Sequence, residues 1–300
     1  MPFSRIIIKA NLAFVEECVM SRTRILIASD IHWCHLDWYG VSNEERMERF
    51  ARHVEEEYAK DPFEALLLLG DYSLDHWQWG IKGCWINEGR SNTKLFADRV
   101  IARLKKLGVP MAAIGGNHEQ YGNNLWKELT GFTRTDALVV GDYLFILPDT
   151  FGANLDPTEH SDGTYCGTDM AFVKEKMAQY PDKKVVFCAH HFDPAKESEA
   201  FRDLVREEDR VLCLFGGHVH RSKVVELGAD WGNKALLYTG NYSYNGGKQP
   251  PQESMWGFRD LILTENSLQS RYITPANRIT VKEEQIEHPY GYQDEYSITI

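Results

Sequence analysis

No stretch of this 300-residue chain stays apolar long enough to cross a bilayer. The first twenty residues hold only short apolar runs, broken by Lys9, Asn11, Glu16 and Glu17, so neither a signal peptide nor an anchor is expected. Cysteine is sparse, and Cys18, Cys34, Cys84, Cys166, Cys188 and Cys213 form no C-x-x-C pair, so a thiolate zinc knot is not expected. Cys188 and Cys213 fall in strand-like runs, where free thiols pack as small apolar groups. Reduced thiols and a cytoplasmic location are the expectation. Basic charge is also short. The 33 Lys plus Arg stand against 44 Asp plus Glu, a net charge of −11 that opposes loose binding to nucleic acid or an anionic membrane. There is no internal repeat and no low-complexity tract.

What is present is a hydrophobic content of 43%, enough for a sizeable core. The expected organisation is one elaborated domain over residues 21–275, an N-terminal appendage at 1–20 and a polar tail at 276–300. Arg24 to Ser29, Glu64 to Leu69 and Val109 to Ile114 read as buried strands. Between them, Ser42 and Glu45 make a capping box for a helix with Met47, Phe50, Ala51, Val54 and Tyr58 on its apolar face. A second helix from about Thr93 carries Phe96, Val100, Leu104 and Leu107 and stops at Gly108. This alternation implies βαβ crossovers and a mostly parallel sheet.

The second half begins with a short helix at Asn124 to Thr130 and a hairpin of Ala137 to Val140 with Tyr143 to Leu147. Helices at Asp169 to Gln179 and Ser198 to Glu208 alternate with strands at Lys184 to Ala189 and Val211 to Phe215. Lys223 to Leu227, Ala235 to Thr239, and Leu261 to Leu263 with Gln269 to Ile273 read as antiparallel strands of a second sheet. The fold class is therefore α/β, two stacked mixed β-sheets flanked by helices in a four-layer sandwich. Tyr72 to Ser91 and Phe151 to Thr168 carry no assignable element, and long loops of this kind often carry function.

Five of the apolar stretches run straight into metal-type ligands: Asp30-Ile31-His32, Gly70-Asp71, Gly116-Asn117-His118-Glu119, His190-His191 and Gly216-Gly217-His218-Val219-His220. In open α/β sheets ligands gather beyond the carboxyl ends of strands. Asp and His with an Asn amide oxygen form an oxygen and nitrogen donor set suited to Mn, Fe or Zn. A single histidine after a strand is commonly a surface residue. Five such segments in this order are a far more specific signal.

The ordered set D-x-H, G-D, G-N-H-E, H and G-H-x-H resembles the calcineurin-like metallophosphoesterase superfamily over roughly Arg24 to Ile273. The resemblance implies metal-dependent hydrolysis of a phosphomonoester or phosphodiester by a bridging hydroxide between two divalent or mixed-valence metal ions. Carried over by position, Asp30, His32 and His220 would hold one metal, Asn117, His190 and His218 the other, and Asp71 would bridge them. His118 would be the catalytic histidine that protonates the leaving oxygen. His191 is the alternative to His190. In many relatives an acidic residue three positions after the bridging Asp supports that histidine; here the position holds Leu74, with Asp75 one later. The protein-phosphatase pattern G-D-x-x-D-R-G, with an Arg before G-N-H-E, is replaced by Gly-Asp-Tyr-Ser-Leu-Asp-His and Gly115, which disfavours that branch.

The expected partner is a small phosphorylated substrate, not nucleic acid or membrane. Two rivals stand beside it: a DNA exonuclease or repair nuclease of the same superfamily, which the missing basic stripe opposes, and a non-catalytic protein-binding scaffold, which the complete ligand set opposes. Trp77, Trp79 and Trp85 are read as packing rather than ring-stacking residues, Glu119 as a loop support, Asn241 as a turn residue and Glu55-Glu56-Glu57 as a solvated helix face. His35, His53, His76, His160 and His288 receive no role.

Overall fold

The computed structural model describes residues 22–34, 36–74, 85–152, 163–244, 256–274 and 295–300, with the backbone alone at 85–90. β1 (Arg22–Ala28) is buried after its first residue, and its neighbours β2 (Ala65–Leu68) and β3 (Met111–Ala113) run parallel to it. Strands buried on both faces need side chains apolar throughout, which RTRILIA and ALLL largely supply. Between β1 and β2 lies α1 (Asn43–Lys60), whose Ser42 side chain accepts from the Glu45 N–H at 3.3 Å. Met47, Phe50, Ala51 and Val54 are buried against the sheet.

The connection from β2 to β3 is helical over α2 (Trp85–Phe96), a π-helical turn at Ala97–Ile101, α3 (Ala102–Leu104) and a closing 3-10 turn. The helix thus begins earlier than the expected Thr93. Asn87, Gly89, Ser91 and Asn92 are poor helix formers, so propensity alone hides its first turns. Beyond β3 come α4 (Asn123–Thr130), the hairpin of β4 (Asp136–Val140) and β5 (Tyr143–Leu147), α5 (Met170–Gln179), β6 (Lys184–Ala189), α6 (Glu199–Glu207) and β7 (Val211–Gly216). The chain then forms β8 (Ser222–Glu226), β9 (Ala235–Thr239), β10 (Phe258–Thr264), β11 (Ser267–Ile273) and β12 (Glu295–Thr299).

Two six-stranded sheets result, ordered β12-β11-β10-β1-β2-β3 and β4-β5-β6-β7-β9-β8. Successive side chains on β1 point to opposite faces. Ile25 and Ile27 meet Phe145, Val186, Cys188, Phe215 and Leu237 between the sheets, while Leu26 and Ala28 pack outward under α1 and the α2 to α4 helices. Val173, Phe201 and Val205 of α5 and α6 cover the outer face of the second sheet. The expected four-layer sandwich is the observed architecture.

Three expectations change. β10 and β11 do not join the second sheet: β10 pairs antiparallel with β1, with Ile25 opposite Leu261, returning the chain to the first. The last residues are not only a tail, since β12 pairs antiparallel with β11 and forms the sheet edge. Glu57 is buried rather than solvated, 3.1 Å from the buried Arg24 guanidinium, which also engages Asp260 at 2.7 Å. The appendage at 1–20, Asp75, Trp77, Trp79, the Trp85 side chain, His35, His76, His160 and His288 lie outside the described side chains. Cys166, Cys188 and Cys213 are free thiols. Among the described residues no helix is long and apolar enough to cross a membrane.

Candidate metal centre

All five predicted segments leave the carboxyl ends of β1, β2, β3, β6 and β7, and the two sheets bring those ends to one place. Asp30, His32, Asp71 and His220 offer donor atoms within 4.8 Å of one another, and Asp71, His190 and His218 do the same. Asp71 is common to both groups. Its Oδ2 lies 3.7 Å from His32 Nε2 and 3.3 Å from His190 Nε2, so one carboxylate oxygen faces both. Asn117 Oδ1 closes the second group, 2.7 Å from His190 Nε2 and 2.8 Å from His218 Nδ1. His118 Nε2 lies 3.7 Å from Asp71 Oδ2, and its ring meets His32 edge-on at 5.1 Å between centroids.

The donor atoms converge instead of pairing off. Asp30 Oδ1 is buried and accepts no hydrogen bond of good geometry, although His220 Nε2 is 3.2 Å away. His32 Nε2 likewise faces His220 Nε2 at 3.2 Å. Buried polar atoms normally find partners, and atoms left facing one another in this way suit cations. The far ring atoms are fixed: His190 Nδ1 donates to Leu69 O at 2.8 Å and His220 Nδ1 to Tyr244 O at 2.6 Å. Those bonds point each Nε2 inward and leave it as the ring atom a metal would take in place of a proton.

The backbone is held in an uncommon form to achieve this. Asp30, His32, Asp71, His218 and His220 all have positive φ, from 51° to 69°. For a residue with a Cβ this conformation costs about 1–2 kcal/mol. Its concentration on these positions marks a functional constraint. Tight backbone approach adds to it, since a Cβ at Gly116 would sit 2.2 Å from Asp71 Oδ1.

Surrounding groups secure the loops. Glu119 is fully buried and its carboxylate accepts four backbone N–H groups, those of Asp71 at 2.9 Å, Tyr72 at 2.8 Å, Ser73 at 3.1 Å and Gly116 at 2.8 Å. It is the loop support expected of it. Burial beside Asp71 pushes it up to about 7. Asn241 donates to His220 O at 2.7 Å and accepts from Ser243 N at 2.9 Å, a turn residue that also fixes a candidate ligand. Arg46, on α1, was not legible as a site residue, because an arginine in an amphipathic helix reads as surface. It is buried, and its guanidinium donates to Ile31 O, to Tyr242 O at 2.9 Å, to His32 O at 2.8 Å and to Asn43 Oδ1 at 3.0 Å. That burial brings it down to about 10.

His190 and His191 are placed differently. His190 reaches Asp71 and Asn117, whereas the His191 ring stands outside them, 4.5 Å from the His218 ring and 5.6 Å from Tyr165. Burial holds His32 well below its ordinary value and brings His218 down to about 3, so both present neutral rings. For His190 burial acts the same way but the Asp71 and Asp30 carboxylates outweigh it and raise the ring to about 9. Burial likewise opposes, and Asp30 again overcomes, at His220. The carboxylates thus draw protons onto these rings, in the position where cations would neutralise them.

A sequence model of calcineurin-like phosphoesterases matches residues 23–222, and the chain belongs to that family, whose members are built around a binuclear metal site. A curated relative is the probable glycerophosphodiester phosphodiesterase GpdQ of Arcobacter nitrofigilis, 25% identical over 223 residues that cover 67% of this chain and 76% of the relative. Among solved structures, a dimetal phosphatase from Danio rerio superposes with a TM-score of 0.63 at 13% identity, covering 92% of this chain and 98% of that one. The purple acid phosphatase PPD1 from yellow lupin gives 0.53 at 15% identity, covering 93% of this chain and 54% of the other. These two likenesses describe the fold.

Proposed function

We propose that the chain hydrolyses a phosphate ester of modest size, with a diester the favoured substrate. The observation that carries this is the single Asp71 oxygen facing two separate donor groups. The name of the curated relative, a phosphodiesterase, supports the diester preference. Asp30, His32 and His220 would hold one divalent ion and Asn117, His190 and His218 the other, with Asp71 shared; Mn, Fe and Zn all suit the donor set. Two such ions would supply Lewis acidity that activates water and offsets the charge of the phosphoryl group.

The residues of the chain do the rest. Asp30 and Asp71 return only two negative charges, and neutral Asn117 preserves a positive surplus, so an anionic ester can enter an acidic protein. His118 is held beside Asp71 by its backbone N–H, which donates to Asp71 Oδ1 at 3.1 Å. Its Nε2 faces the space the two groups share, and it gives its proton to the leaving oxygen. Glu119 and Arg46 keep the ligand loops in their costly backbone form throughout.

Metal analysis with turnover of 4-nitrophenyl phosphate and bis(4-nitrophenyl) phosphate in added Mn²⁺ tests the proposal. Two bound ions per chain and faster turnover of the bis-ester are expected. A protein that binds two ions yet hydrolyses neither ester, but retains a protein partner, would favour the scaffold instead. Efficient cleavage of DNA with steep salt dependence would favour the nuclease.

A further inference from the structure

The loop between β1 and α1 exposes apolar surface next to the candidate metal centre. Leu36 is 42% exposed and Tyr39 38%, two of the three large apolar side chains so exposed among the described residues. Trp38 between them is half-buried. The loop is built rather than slack. Trp38 N donates to Val41 O at 3.1 Å and Val41 N to Trp38 O at 3.0 Å, closing a two-residue turn. Both turn residues have positive φ, Tyr39 at 58° and Gly40 at 76°, the primed geometry of a tight hairpin. A tyrosine kept in that conformation, partly exposed and with its ring 6.1 Å from Trp256, is a strained feature of the kind found at functional sites.

Trp38 is the inner part of an aromatic ledge. Its ring lies 5.2 Å from Tyr244, which in turn lies 4.4 Å from His220 and 5.7 Å from His32. The ledge therefore borders the donor group that contains His32, and His118 packs edge-on against that same His32. A leaving oxygen that takes its proton from His118 would carry its substituent toward Trp38 and Tyr244. Two charges flank the ledge: the Asp37 carboxylate, exposed and screened by solvent, and the Arg46 guanidinium, which is buried and therefore selects the substituent. The buried Arg46 guanidinium sits 4.3 Å from the Trp38 ring centre, so one face of the indole already holds a cation. A second cation, such as a trimethylammonium group, would meet like charge through the ring. A neutral planar ring would gain stacking without that cost.

We infer, on the reading of the site proposed above, that Trp38 and Tyr244 form a leaving-group subsite for a neutral planar ring, a nucleobase or an aryl group, and that it discriminates against cationic head groups. The ring departs with the oxygen protonated by His118, and the other ester substituent stays on phosphorus.

The test uses methyl phosphodiesters whose second substituent is adenosine (through its 5′ oxygen), benzyl, choline or methyl, an alkoxide leaving group in every case, with the full chain and Mn²⁺, followed by ³¹P NMR. The adenosine or the benzyl ester should exceed the dimethyl ester in kcat/KM by roughly tenfold or more, the size stacking on one aromatic commonly gives. The choline ester should show no such gain. The product should be methyl phosphate, with the ring released. Adenosine above benzyl assigns the subsite to nucleobases, and the reverse assigns it to aryl groups. Trp38→Leu and, independently, Tyr244→Leu should bring the ring-to-methyl ratio down severalfold, while Trp38→Phe keeps most of it. Equal rates for all four esters, preference for choline, or a ratio untouched by Trp38→Leu and Tyr244→Leu would overturn the inference. Calorimetry with adenosine 5′-sulfate and choline sulfate reads the same preference without turnover. An inactive protein that still prefers the adenosine anion defeats the proposed hydrolysis alone, and an active one without ring preference defeats only the subsite.

Discussion

His53 gives the chain a defined acid sensitivity away from the candidate centre. Its ring is packed on Phe258 at 4.4 Å, its Nδ1 is 3.0 Å from Tyr242 Oη, and its buried Nε2 has no hydrogen-bond partner. Burial brings it down to about 4, because a protonated Nε2 would carry a proton with no acceptor. The unfolded value is about 6.5. Since the folded value is the lower one, the unfolded chain binds the extra proton first. The stabilisation is fully present above pH 6.5 and is lost as pH falls through about 4. The shift corresponds to about 2 kcal/mol lost by pH 5 and about 3 kcal/mol by pH 4, relative to pH 8. His53→Gln keeps a group able to bond the tyrosine hydroxyl and removes the titration. The assay is denaturant unfolding of metal-free wild type and variant at intervals from pH 8 to pH 4.5, with stability extrapolated to water. The difference between the two proteins should shrink or reverse in favour of the variant as pH falls. A difference independent of pH would refute the reasoning.

Arg46→Met strips the guanidinium from three buried carbonyls, and after allowing for relief of the buried charge should destabilise the protein by about 2–5 kcal/mol in the same unfolding assay; a change under about 1 kcal/mol would deny it that role. Gly116→Ala places a methyl group where only 2.2 Å separates it from Asp71 Oδ1, so the folded variant should lose at least one bound metal in elemental analysis, and full occupancy would contradict the packing. His118→Ala should retain both ions but slow ester hydrolysis by roughly 10²-fold or more, because only the proton donor is removed; turnover at the parent rate would exclude His118 as the acid.

Much of the architecture was legible because β1, β2, β6 and β7 are short apolar runs ending in ligand-type residues, and chain order alone puts such runs in a sheet with their loops at one end. The destination of β10 was not legible. Its sequence, FRDLILT, suits either sheet, and only the pairing of Ile25 with Leu261 decides. Glu57 reads as solvated from its acidic neighbours, and its burial follows from Arg24, a partner 33 residues away. At the candidate centre the motif residues were legible by type and order, including Glu119. Arg46, Trp38 and Tyr244 were not, since an arginine on a helix and aromatics in loops have common structural uses, and what distinguishes these three is where the fold sets them. The sequence does not distinguish His190 from His191, since what differs is their surroundings: His190 lies beside Asp71 and Asn117.

Anomalous diffraction from a crystal grown with Mn²⁺ tests directly whether two cations share the Asp71 carboxylate. Two peaks should lie about 3.5 to 4 Å apart on either side of Asp71 Oδ2, one within reach of Asp30, His32 and His220 and the other of Asn117, His190 and His218. A single peak, or none near Asp71 at saturating metal, would contradict it.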